Sequence, residues 1–113
     1  MRTIVAGSRT VTEYNLVASA IAEAPWSLSV IISGGAKGVD TLGEAYAHLK
    51  EIPLEIFNAD WNRFGRAAGH MRNEEMAKNA QALIAVWDGE SRCTANMIET
   101  AKKYKLKVYV RLV

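Results

Sequence analysis

The residue pattern predicts a single α/β domain over residues 1–113, with about five parallel strands in one sheet and helices on both faces. Three observations carry this. Five short apolar runs alternate with four segments in which apolar residues recur at helical spacing. The second run, Leu28 to Ile32, is nearly continuous in apolar side chains, as a strand covered on both faces requires. The polar, glycine-bearing turns follow the carboxyl ends of the first four strands, the edge at which such sheets hold ligands.

Taken in order, Thr3-Ile4-Val5-Ala6 is a β-branched first strand that ends in the turn Gly7-Ser8-Arg9. Thr10-Val11-Thr12-Glu13 has the spacing of a capping box and predicts a helix start there, with Tyr14, Val17, Ala18 and Ile21 as its apolar face and Pro25 after its end. Leu28 to Ile32 is the second strand. Val39, Leu42, Gly43, Tyr46 and Leu49 keep a helical period up to Pro53, and Leu54 to Phe57 is the third strand. Asn58 to Gly69 reads as a long irregular segment, a kind that is more often functional than idle in so small a domain. A helix follows from His70 to Asn79, then a strand from Ala82 to Trp87, a helix from about Thr94 to Tyr104 and a last strand from Lys107 to Arg111.

The stretch Ser33-Gly34-Gly35-Ala36-Lys37-Gly38-Val39-Asp40 stands out within this frame. Three glycines between a strand and a helix let backbone N–H groups approach a guest, and the helix start adds its unpaired amides and positive dipole end. Such a turn is either a plain connection or a phosphate-sized cradle, and three glycines with Lys37 favour the cradle.

Composition narrows the function classes. A net charge of +2 with scattered basic residues gives no nucleic-acid stripe, so anion specificity has to be local. One cysteine excludes an internal disulfide, and two histidines, His48 and His70, supply no metal-ligand spacing. No apolar run is long enough to span a bilayer, and Met1 to Val5 enters a strand directly, which makes a cytoplasmic location the expectation.

The motifs together resemble a known family. Gly7-Ser8-Arg9, Ser33 to Asp40, Ala59-Asp60-Trp61, Ala68-Gly69 with Arg72, Asn73 and Met76, and Asp88-Gly89 followed by Thr94 and Met97 are similar to the YspA-type, YpsA-related branch of the SLOG superfamily. The resemblance spans essentially the whole chain. It implies a Rossmann-like domain with a pocket for a nucleotide or nucleotide-like phosphate compound, in a superfamily that also groups the Lonely Guy phosphoribohydrolases and the DNA-processing protein DprA. A dimer is implied by the same relatives, with Trp26, Trp87 or Tyr104 as contact candidates.

Lonely Guy enzymes carry a glutamate three residues after the threonine that matches Thr94, and Met97 stands there instead. A thioether neither exchanges a proton nor stabilises an oxocarbenium-like transition state. Cys93 replaces a glycine before Thr94, and Asn73 replaces the lysine of an Arg-Lys pair. Catalysis is therefore an open question, with Asp60, Asp88, Glu90 or Glu99 as substitute carboxylates, and no catalytic residue, cofactor or metal is assigned.

The expected ligand-binding residues are Gly7, Ser8, Arg9, Ser33, Gly34, Gly35, Ala36, Lys37, Gly38, Asp40, Asp60, Trp61, Arg72, Asn73, Asp88, Gly89, Ser91 and Thr94. Each has a plainer alternative. Arg9 reaches a ligand or a carboxylate such as Asp40 or Asp88, Arg72 clamps phosphate or sits at a helix start, and Asp40 contacts a ribose hydroxyl or complements a helix dipole. Trp61 and Phe64 stack on a base or plug the rim of the core, and Asp60 is ligand, cap or base. His70 titrates near neutrality or is structural, and Cys93 is a thiol near a helix start. Three functions follow as expectations: a nucleotide-binding sensor or accessory module, a nucleotide N-glycosidase with substituted catalytic groups, and a DprA-like single-strand DNA binder that the weak charge disfavours.

Overall fold

The computed structural model describes residues 1–113. Strands β1 (Arg2–Gly7), β2 (Val30–Ser33), β3 (Leu54–Ile56), β4 (Ala82–Trp87) and β5 (Lys107–Leu112) form one sheet in the order β3-β2-β1-β4-β5. All four pairings are parallel. The expected α/β architecture with a five-stranded parallel sheet is therefore the observed one.

Two helices lie on each face. Helices α1 (Tyr14–Glu23) and α2 (Val39–Leu49) pack on one side through Val17, Ile21, Val39 and Ala47, against Val5, Ile31 and Ile84 of the sheet. On the other side α4 (Ala68–Lys78) and α5 (Arg92–Lys103) supply Met76, Ala77, Met97 and Ala101, against Ile4, Ala6 and Leu83. Strand alternation produces this division, because neighbouring side chains of β1 point to opposite faces. The chain runs outward from β1 to β3, then returns to place β4 on the other side of β1. The strand order thus reverses between β1 and β4, and the crevice outside their carboxyl ends is the expected binding position in an open α/β sheet.

Local structure departs from the sequence reading in three places. The Thr10–Glu13 capping box does not form: Glu13 itself is the N-cap of α1, with no side-chain cap bond. The chain instead turns earlier, where Val11 N donates to the Ser8 carbonyl at 3.4 Å. Strand β2 starts at Val30, while Ser29 N bonds the Met1 carbonyl at 2.9 Å. The long segment Asn58 to Gly69 is largely helical. Asp60 accepts from Arg63 N at 3.1 Å and so caps a short helix, α3 (Trp61–Phe64). A 3-10 turn (Gly65–Ala67) leads into α4, which begins at Ala68 before His70. No helix is long and apolar enough to cross a membrane.

Candidate functional site

Three loops meet at the reversal point, and Ser8 ties them together. Its carbonyl accepts from Val39 N at 3.3 Å, at the start of α2, while its Oγ accepts from Asp88 N at 3.0 Å, after β4. The close approach needs glycine at two positions. A Cβ on Gly7 would stand 2.0 Å from the Val86 carbonyl oxygen, and one on Gly38, where φ is 75°, would stand 2.4 Å from that of Ser8.

The other cradle glycines are also accounted for within the chain. A Cβ on Gly34 would come within 2.9 Å of the Arg72 guanidinium and of Asp40 Oδ2, and one on Gly35, where φ is 70°, would strike Asn58 Oδ1. Two cradle amides are engaged as well: Gly35 N donates to Ser33 Oγ at 3.2 Å and Ala36 N to Asp40 Oδ2 at 3.2 Å. Ser33 Oγ in turn donates to Glu44 Oε2 at 2.7 Å. The glycine turn is thus a wall shaped by its own neighbours.

What these residues enclose is a small polar well of about 30 Å³, reached by Arg9, Asp40, Arg72, Asn73, Ser91 and Thr94 and floored by Met76 and Met97. Arg72 is its most informative member. This arginine is 7% exposed, and its guanidinium donates to the Gly34 carbonyl at 2.8 Å, to Asn73 Oδ1 at 3.3 Å and to Cys93 Sγ at 3.4 Å. No carboxylate lies within 4.0 Å of it, since the ion pairs of the molecule are Arg2–Glu55, Lys103–Glu74 and Arg111–Glu23. Asn73 fixes the junction of α4 and α5 by donating to the Cys93 carbonyl at 3.2 Å and to Asn96 Oδ1 at 3.0 Å.

Asp40 faces the same well. Burial pushes its carboxyl up to about 6, against the opposing pull of the Ala36 amide and of the Arg72 and Arg9 charges, with Glu44 adding to the rise. Ser91 and Thr94 hydroxyls bond each other at 3.2 Å on the opposite wall. Arg9 is exposed at the mouth.

Beside the well, and sharing Arg72 with it, lies a groove of about 410 Å³ between the end of β3, α3 and α4. Phe57, Phe64 and Met71 form its apolar surface, and Asp60 and Glu75 its acidic one. Arg63 stacks on Phe64 with the guanidinium carbon 4.9 Å from the ring centre.

The structure therefore gathers Gly7, Arg9, Ala36, Asp40, Arg72, Asn73, Ser91 and Thr94 around the well, and Asp60 with Arg72 around the groove. Ser8, Ser33, Gly34, Gly35 and Gly38 act behind it, as supports of the wall. Lys37 is exposed and lines neither space. Trp61 lies over Gly69 and outside the groove, its Cη2 atom 3.2 Å from where a Gly69 Cβ would be. Asp88 turns its own loop by accepting from Glu90 N at 2.8 Å and Ser91 N at 2.9 Å, bonds that hold its carboxyl below the usual range, and Gly89 follows at φ 81°. Glu90 and Glu99 are exposed, outside the well. Phe57, Met71 and Glu75 were not among the expected residues. The signal for Met71 and Glu75 was present all the same: Ala68, Met71, Arg72 and Glu75 repeat at helical spacing and mark one stripe of α4.

Comparison with known proteins supplies a family and a relative. Residues 1–64 match the family described as YAcAr, the YspA, cpYpsA-related SLOG family. The chain belongs to that family. It is also similar to the Gene 61 protein of Mycobacterium phage D29, 29% identical over 117 residues that cover 95% of this chain and 93% of the phage protein. No solved structure matches.

Proposed function

We propose that this protein binds a nucleotide or nucleotide-derived phosphate compound at the carboxyl edge of the sheet, as a sensor or accessory module. The observation that carries this reading is Arg72, a buried guanidinium bonded to neutral acceptors, with no carboxylate within 4.0 Å and Asp40 acting on it from further off. A buried charge of that kind is costly unless an opposite charge joins it, and guanidinium geometry suits a phosphate. Arg9 at the mouth adds a second cation, so the well has two positive groups against Asp40 alone. At about 30 Å³ the space takes roughly two waters or the end of one anionic group. The remainder of any guest lies outside it. Family membership supports the nucleotide class.

Thermal unfolding in the presence of ribose 5-phosphate and of mono-, di- and cyclic nucleotides tests the reading, because a ligand selective for the folded state raises the midpoint by mass action. Stabilisation that disappears in Arg72→Met is the expected result. No stabilisation by any compound at millimolar concentration overturns it.

Asp40 favours a second reading, an N-glycosidase-like enzyme. Met97 is buried in the well where a Lonely Guy glutamate would stand, yet Asp40 brings a carboxyl there whose pKa of about 6 suits proton transfer near neutrality. Release of free base from nucleoside monophosphates, lost in Asp40→Asn, is the outcome that would select this reading over the first.

A further inference from the structure

We infer that the groove between β3, α3 and α4 is a nucleobase subsite that selects a purine presenting N–H donors, with guanine the best fit. The inference rests on the nucleotide reading above, and on four features of the groove itself.

The first is position. Arg72 lines both spaces, so a guest whose phosphate reaches the well has the groove as its adjoining space. The second is size. A well of about 30 Å³ admits no ring, whereas about 410 Å³ lies in the range of small-molecule sites. The third is the apolar surface: Phe57 and Met71 offer a flat base a place to lie, beside Phe64, which already carries Arg63 on its ring.

The fourth feature sets the choice among bases. The charged groups of the groove apart from Arg72 are carboxylates. Asp60 uses Oδ1 on Arg63 N and keeps Oδ2 free, and Glu75, exposed on α4, has no ion pair. Arg72 is turned away to the Gly34 carbonyl. With Asn58 as the one neutral amide of its lining and two carboxylates as its free charged groups, the groove favours a base edge that donates hydrogen bonds to a carboxylate. Guanine alone among the common bases carries two adjacent donors, N1–H and the 2-amino group, which one carboxylate accepts together. Hypoxanthine keeps N1–H and lacks the amine, so the pair GMP and IMP isolates the second donor.

Isothermal titration of the intact chain with ribose 5-phosphate, GMP and IMP tests the inference. GMP is expected to bind about tenfold or more tightly than IMP and than ribose 5-phosphate, and Glu75→Gln or Asp60→Asn to erase the preference for GMP over IMP. Circular dichroism confirms that both variants fold, which their exposed positions favour. Ribose 5-phosphate binding as tightly as GMP overturns the base subsite while leaving the phosphate well intact. Equal affinity for GMP and IMP overturns the choice of base. Failure of all three compounds removes the nucleotide reading together with this one.

Discussion

The two faces of the sheet are built from different side chains and serve different ends. Under α1 and α2 the buried residues are mostly β-branched, with Val5, Val17, Ile31, Val39, Ile84 and Val86 in one cluster. The one buried hydroxyl at that face's amino edge, Thr3, receives the Trp26 indole N–H at 3.0 Å and is thereby satisfied. Under α4 and α5 six of the ten core residues are small or flexible, Ala6, Ala77, Ala85, Ala101, Met76 and Met97, beside Ile4, Ile32, Leu83 and Ile98, and the same helices bury Arg72, Asn73 and Thr94 at the carboxyl edge. Stiff, close-packed side chains specify one face; the other gives up apolar area to hold a charge. The α4/α5 side thus contributes most of the buried polar groups of the well, and Asp40 of α2 joins them from the other side.

That division can be broken or sharpened by substitution. The largest change in stability is expected on the α1/α2 face, where Ile84→Ala removes fully buried atoms and should cost about 2–5 kcal/mol in urea unfolding. A loss under about 1 kcal/mol would mean that this face is not the stiffer one. Asp40, buried beside the well, should act through pH. Its carboxyl has a folded pKa of about 6 against an ordinary 3.8, so the folded state holds the proton more tightly than the unfolded one. Stability from this group is then greatest below pH 3.8 and falls as pH rises toward about 6, by about 3 kcal/mol in all. Glu23, Glu55, Glu74 and Asp88, held below their ordinary values by their partners, pull the other way, so the difference between wild type and Asp40→Asn isolates the effect. That difference should grow between pH 4 and 6 in favour of the variant; parallel curves would refute it.

Arg72→Met probes the opposite face. Replacing a buried charge that makes no close ion pair by an apolar side chain relieves desolvation while leaving the Gly34 carbonyl without its donor and Asp40 without a nearby cation, so the net change should stay within about 2 kcal/mol. Its cost in stability should therefore be smaller than that of Ile84→Ala, measured in the same urea series, while phosphate-dependent stabilisation is abolished. The smallest effect is expected at the sheet edge. Glu55→Gln opens the two-bond contact with Arg2, at 2.7 and 2.9 Å, between half-exposed groups screened by solvent, and should leave the urea midpoint nearly unchanged.

The fold was legible because its signals are long and redundant. Ala82 to Val86 is apolar at every position and is buried throughout, and Val39, Leu42, Gly43, Tyr46 and Leu49 keep a helical period along α2. The capping box misled because Thr10 and Glu13 have the right spacing on a chain already committed to a tight turn by the bond from Val11 to Ser8. Short α3 was hidden in a segment rich in turn residues, although Asp60 is a residue type that caps helix starts. The site was legible in its edge and in many of its residues. Its interior was not, because Gly34 and Gly35 signal close approach without saying what approaches. Here the neighbours are Arg72 and Asn58, residues 38 and 23 positions further along the chain.

Ser8 joins the strand ends into one frame, whereas Asp60 bonds only to Arg63 and Phe64 of its own segment. A chain with this arrangement can keep its anion seat unchanged while residues 59–67 are rewritten. Descendants that answer to different small molecules would then arise by editing nine residues at the border, with Asn58, the scaffold and its charge left alone.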